Sequence, residues 1–485
     1  MLKLAVTAMF GALALAADAA PAAAETEAPP GKPRLVILTD IENEPDDTQS
    51  LVRLLLYAND IDLRGLVATT SVHMKHGVHP ESIKGLIQRY ARVLPKLRQH
   101  DRGYPAAAQL LALVASGQPG YGLQSIGDGR ESPGSQLLLR ELDRPDPRPL
   151  WVSVWGGANT LAQALHDLRC TRPKEAVDAA VSRLRVYTIS DQDDSGAWLR
   201  REFPGLFYIV SPGSYARPTW TAIHREVEGI NNQHVSNAWI ARHIQQGHGP
   251  LGAAYPDIAY GMEGDTPSFL GLIPNGLNAP EHPNWGGWGG RYELYTPRRE
   301  DTDPDGFTGG VPVEQETRPI WTNAVDRYRP AVASAYGRPL KPGEREYNDN
   351  AVTLWRWREA IQNDFAARML WTTRAPAEAN HAPVVRLAHA AEMHVRSGDW
   401  VTLDASPSSD PDGDSLSFLW LAYPEAGTLK TPLPLGTEVQ SRIALRLPEV
   451  DVAATAHVIV QVTDKGTPAL TRYQRVILHI EPRAR

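Results

Sequence analysis

Apolar residues fall into short unbroken runs along the first half of the chain, at 35–38, 63–68, 150–154, 185–189 and 206–210. Runs without polar alternation mark strands covered on both faces, as in the interior of a parallel sheet. Between them the period lengthens to that of a helix. Leu51, Leu54 and Leu55 share one face, Ile83, Leu86, Ile87 and Tyr90 another, and Leu161, Leu165 and Leu168 a third. This alternation predicts an α/β unit over 34–375, a mostly parallel sheet with helices on both faces.

From about residue 380 the grammar changes. Polar and apolar positions alternate around Trp400 and again up to Trp420, with a turn at Asp410, Asp412 and Asp414 between them. Further runs at 442–447, 456–462 and 473–480 extend the pattern. The segment 380–485 is therefore expected to form a smaller all-β sandwich of immunoglobulin-like size. Trp400 and Trp420, both inside strand patterns, are expected in its core. The three aspartates imitate the start of an EF-hand, but position twelve of such a loop is Leu421, which cannot ligate, so they read as an acidic hairpin turn.

The start of the chain speaks to location. Lys3, an apolar run and Ala22-Ala23-Ala24 give 1–24 the form of a signal peptide, followed by a Pro/Ala/Glu-rich linker at 25–33. The apolar run is too short for an anchor, so a secreted or periplasmic protein without a membrane anchor is expected. The lone cysteine, Cys170, can form no intrachain disulfide and reads as a small packed residue. A net charge of −7 with no Lys/Arg stripe argues against nucleic acid. Thirteen Trp and 40 Pro against seven Phe suit a loop-rich protein with aromatic platforms and a carbohydrate or glycan ligand. Oligomeric state is not legible.

The candidate chemistry sits after the first strand, where Asp40, Glu42, Glu44, Asp46 and Asp47 place five carboxylates within eight residues. Crowded carboxylates repel and their pKa values rise unless a cation lies among them; a hard ion with oxygen ligands, most plausibly Ca²⁺, answers that need. One or two acids would suffice merely to complement a helix N-terminus. In parallel sheets ligands bind at the carboxyl ends of strands, which is where this loop falls.

Thr39-Asp40 with Asp46-Asp47, the 65–70 segment Gly-Leu-Val-Ala-Thr-Thr and Trp155-Gly-Gly-Ala-Asn159 resemble the nucleoside-hydrolase fold. Asn43-Glu-Pro-Asp-Asp47, Glu263-Gly-Asp265 with Ile273-Pro-Asn-Gly276, and Gly286-Gly-Trp-Gly-Gly290 resemble more closely the bacterial cellulose-binding proteins that join a nucleoside-hydrolase-like domain to an immunoglobulin-like one. The resemblance implies Ca²⁺ held by Asp40, Asp47, a carbonyl near Asn159 and Asp265, with Asp40 as the base and Asp46 on sugar hydroxyls. Asn43, Glu44 and Glu263 join the expected substrate-binding set. Two departures stand out. Asp40 and Asp46 are six positions apart where the family leaves four, so the extra residues either bulge outward or displace Asp40. Gly264 stands where the purine-type hydrolases carry a histidine.

Trp285 and Trp288, set among glycines, can stack on sugar rings or anchor a loop. His73, His76 and His79 are acid candidates or a solvated surface, and Asn231, Asn232 and Asn237 are sugar contacts or an ordinary polar loop. The expectation is a secreted Ca²⁺-dependent glycoside hydrolase of nucleoside-hydrolase type, acting on a glycan or furanosidic fragment. A non-catalytic polysaccharide-binding protein is the alternative, and a nucleoside N-ribohydrolase comes third.

Overall fold

The structure, a computed structural model, describes residues 31–212, 218–302, 311, 313–332, 341–342, 345–435 and 438–483. The expected signal peptide at 1–24 and the linker up to residue 30 lie outside the described residues. No described helix is long and apolar enough to cross a membrane.

Eight strands form the main sheet: β1 (Arg34–Thr39), β2 (Asp62–Ala68), β3 (Val114–Ser116), β4 (Leu150–Val154), β5 (Leu184–Thr188), β6 (Phe207–Val210), β7 (Tyr292–Tyr295) and β8 (Ile320–Asn323). Their order is β3-β2-β1-β4-β5-β6-β8-β7, parallel except for the final β8–β7 pair. The five apolar runs are five of the six interior strands, β2, β1, β4, β5 and β6. Successive residues of β1 serve opposite layers: Leu35 and Ile37 join the core under α1 (Pro45–Leu56) and α2 (Pro80–His100), while Val36 and Leu38 join the core under the helices Pro133–Leu142 and Asn159–Thr171. A strand buried on both faces has no use for polar alternation, which is why Leu35 to Leu38 of β1 are apolar without a break.

The C-terminal strands make a four-stranded sheet (Glu392–Arg396, Thr471–Glu481, Ala454–Thr463, Ser417–Ala422) and a two-stranded one (Trp400–Asp404, Arg442–Arg446). Val401, Leu403, Ile443 and Leu445 of the small sheet share one core with Trp420, Val458, Val460, Val476 and Leu478 of the large one. Trp420 is fully buried, as the pattern predicts, but Trp400 points outward and is 71% exposed. The alternation runs in the opposite phase there: Val401 and Leu403 face inward, so Trp400 must face water.

This all-β part docks firmly on the α/β part. Tyr473 N donates to Asn275 O at 2.9 Å, and Arg475 Nη2 donates to the carbonyls of Leu277 and Gly286 at 2.8 and 3.0 Å. Gly276 has φ +83°, and a Cβ there would lie 1.8 Å from Tyr473 O, so only glycine permits this approach.

Candidate active site

In the strand order, β1 is flanked by β2 and β4, so the connections leaving β1 and β4 diverge and open a crevice at their carboxyl ends. The acid loop leaves β1 there and Trp155-Gly156-Gly157 leaves β4. Main-chain bonds pin the loops together: Trp155 N donates to Leu38 O at 2.8 Å, Thr69 N to Thr39 O at 2.7 Å and Gly157 N to Thr70 O at 2.8 Å. Gly156 lies flat against Asp40, since a Cβ would come within 2.8 Å of its side chain.

The crevice opens into a cavity of about 610 Å³ lined by Asp40, Asn43, Glu44, Asp46, Asp47 and Asp265, with Trp155, Trp220, His224 and Tyr260 among the opposing residues. Carboxylate oxygens of Asp46, Asp47 and Asp265 all fall within 4.8 Å of one another. Asp40, 2% exposed, adjoins this trio, and Oδ2 of both Asp40 and Asp265 is buried without a hydrogen-bond partner. Among the described residues no Lys or Arg lines the cavity. Burial, first, and mutual repulsion raise every one of these acids. Asp40 is pushed up to about 6 by burial, against a lowering hydrogen bond from Ser71, and Asp46 to about 8 by burial and then by Glu44 and Asp40. Asp47 and Asp265 are raised well above the carboxylate range, by burial and then by the other acids, although Asp47 accepts a short bond from Thr39 Oγ1. Glu44 is raised by burial and drawn partly back by His73. Buried carboxylates with vacant oxygens and no cationic side chain are the donor set of a hard divalent ion.

The extra residues of the acid loop bulge outward. Glu42 takes a left-handed φ of +85° and turns away to bond Ser82 and to pair with His79 Nδ1 at 3.0 Å. Asp40 thus keeps its place on the cavity wall.

Several expected residues stand elsewhere. Asn159 does not line the cavity: its Nδ2 donates to Gly120 O at 2.8 Å, and its backbone N–H donates to Asp193 Oδ2 at 3.1 Å, so it fastens loops. Glu263 is fully buried but faces Arg53 (2.6 Å) and accepts from Tyr255 Oη (2.6 Å), away from the cavity. Trp288 is fully buried, and Trp285 stacks on His282 with ring centroids 4.0 Å apart and meets His457 edge-on, so both serve the junction with the all-β part as loop anchors. Asn232 bonds Val227 and Arg358, Asn237 bonds Ile258, and Asn231 bonds Gln233 N; all three are loop fasteners. Of the three histidines only His73 lines the cavity.

Three wall residues gave no sequence signal. Trp220 reaches the site from the 3₁₀ turn Thr219–Ile223, with Nε1 donating to Ser190 Oγ at 2.9 Å. A Cβ on Gly264 would meet its ring at 2.8 Å and Asp46 at 3.0 Å. The indole therefore fills the space that a side chain at 264 would need. His224, lowered by burial, holds Met262 O through Nδ1 at 3.1 Å and so presents Nε2 as an acceptor. Tyr260, at φ +57° and 96% exposed, stands at the mouth.

Fold and crevice together define a nucleoside-hydrolase-like protein. The model of the cellulose-binding Sde182 family, nucleoside hydrolase-like domain, matches residues 34–292, and that of the cellulose-binding protein Sde0182 C-terminal domain matches 400–480; the chain belongs to this family, and its function is associated with carbohydrate. A nucleoside hydrolase-related hypothetical protein from Saccharophagus degradans, described as associated with carbohydrate metabolism, is 33% identical; the match covers 93% of this chain and 100% of that one at TM-score 0.77. The crystal structure of the effector protein XOO4466 aligns over 60% of this chain and 88% of its own at 12% identity and TM-score 0.32, too distant to define a shared fold. Curated proteins gave no match.

Proposed function

We propose that the protein is a secreted Ca²⁺-dependent glycoside hydrolase of nucleoside-hydrolase type, acting on a glycan or furanosidic fragment outside the cytoplasm. The observation that carries this reading is Asp40: buried, at the edge of a carboxylate trio, with Oδ2 facing no donor. Asp46, Asp47 and Asp265 would hold the ion, with Asp40 beside them. Bound there, Ca²⁺ supplies the positive charge that keeps the acids ionised and makes a neighbouring water more acidic. Asp40 accepts the proton of a water that attacks the anomeric carbon, the bond from that carbon to the leaving group breaks, the leaving group takes a proton from solvent, and this single displacement inverts the configuration. Asp46 and the Nε2 of His224 accept hydrogen bonds from sugar hydroxyls, and the Trp220 ring offers a flat face to a sugar ring.

The second reading, a polysaccharide-binding protein without turnover, draws on the family's description and on the lack of a cationic acid for the leaving group. Trp220 against Gly264 disfavours the third, a nucleoside substrate, because that space holds no histidine. A panel of plant-wall and bacterial glycans tests the order. Sugar release by the wild type, abolished in Asp40→Asn with affinity retained, is the expected result. Binding without product anywhere in the panel leaves the second reading.

A further inference from the structure

Far from the crevice, the outer face of the helix Asn159–Thr171 carries a group of ligand atoms that the proposed chemistry does not use. Cys170 does not pack as a small apolar residue, as its sequence context suggested; it is exposed. His166 lies one turn before it on the same face. Asp128, from the loop ahead of the helix Pro133–Leu142, reaches across so that Oδ1 stands 3.0 Å from His166 Nε2, while Cys170 Sγ stands 3.7 Å from that same nitrogen. One ligand atom from each residue falls within 4.8 Å of the other two.

We propose that Asp128, His166 and Cys170 form a surface site for a borderline-soft divalent metal ion, Zn²⁺ by preference, separate from the hard-ion cavity. The distances fit such an ion: with metal–sulfur and metal–nitrogen bonds of about 2.3 and 2.0–2.1 Å, tetrahedral angles put sulfur and nitrogen roughly 3.6 Å apart. A thiolate, an imidazole and a carboxylate leave the fourth position to water. The arrangement is not a nucleophilic relay. In a Cys–His–Asp relay the carboxylate holds the imidazole nitrogen opposite the thiol, whereas here Asp128 and Cys170 converge on one nitrogen.

Co²⁺ titration of the reduced full chain tests the site, with Ca²⁺ in excess to fill the cavity. Because Cys170 is the only sulfur of its kind, a thiolate-to-cobalt charge-transfer band in the near ultraviolet reports this site alone. The expected result is a band that saturates at one Co²⁺ per chain, is bleached by one equivalent of Zn²⁺, and loses at least ten-fold in affinity in His166→Ala and in Asp128→Ala. No band in the wild type overturns the proposal. So does a band of unchanged affinity in both variants, which marks a lone thiol binding metal without the other two ligands.

Discussion

Two groups of buried acids in this molecule carry the same charge at the same depth and meet opposite fates. Asp364, on the helix Arg358–Leu370, accepts from Tyr57 Oη at 2.7 Å and pairs with Arg368 at 3.1 Å and Arg472 at 2.7 Å. Despite burial, Arg472 and Arg368 bring its carboxyl down to about 2. Asp40, Asp46, Asp47 and Asp265 are as deeply buried, have no cationic partner among the described residues, and are all raised. Burial alone penalises both groups; the difference is who supplies the cation. At Asp364 the chain supplies it, tying the all-β part to the α/β part through Arg472. In the crevice no described side chain supplies one, and under the proposed function Ca²⁺ would.

The comparison can be broken at several points. The largest effect is expected from Asp364→Ala, which removes the carboxylate shared by the buried Arg368 and the half-buried Arg472 and should cost about 3 kcal/mol in urea unfolding, with or without Ca²⁺. An Asp364→Ala protein as stable as wild type would remove the structural half of the contrast. Next comes pH. A folded-state carboxyl raised above its unfolded value contributes stability that is full below the unfolded pKa and lost as pH rises through the folded one. For Asp40, raised from 3.8 to about 6, this amounts to roughly 3 kcal/mol, lost between about pH 4 and 6; Asp46 extends the loss to about pH 8. Unfolding in chelator should therefore show stability declining across that window, and saturating Ca²⁺ should flatten the decline. Equal slopes with and without Ca²⁺ would show that no ion relieves the acids.

Smaller effects sharpen the picture. In chelator at pH 8, Asp47→Asn removes one ionisable acid from the crowded cluster while keeping an acceptor for Thr39, and should raise stability by about 1 kcal/mol. The same substitution should weaken Ca²⁺ binding. Trp220→Ala should reduce glycan affinity by about 1 kcal/mol, read by calorimetry, with the Ca²⁺ response unchanged. Loss of the Ca²⁺ response in that variant would mean the ring props the acid cluster instead of facing the sugar.

What sequence alone could reveal follows the reach of each signal. The inner strands were legible because continuous apolar runs are a local consequence of burial on both faces. β3, with three residues, and β7, with three of its four residues exposed, were not, because a short edge strand leaves no periodic trace. Asp40, Asp46 and Asp47 announced themselves by crowding within one loop. Asp265 required the family resemblance, lying more than two hundred positions away. Trp220 left no signal, since its neighbours Ser190 and Gly264 come from two other segments. Glu263 misled for the same reason: its adjacency to Asp265 suggested the cavity, while Arg53, buried on α1, draws it into an ion pair behind the wall. Trp400 misled by phase, because a one-residue shift in a strand exchanges inside for outside.

The direct test of the central claim is calorimetric titration of the chelator-treated full chain with Ca²⁺, beside Asp265→Asn. One tightly bound Ca²⁺ per chain in the wild type, with affinity reduced at least ten-fold in a variant that keeps its circular dichroism, is the predicted outcome. A wild-type chain that takes up no Ca²⁺ at neutral pH would contradict the account.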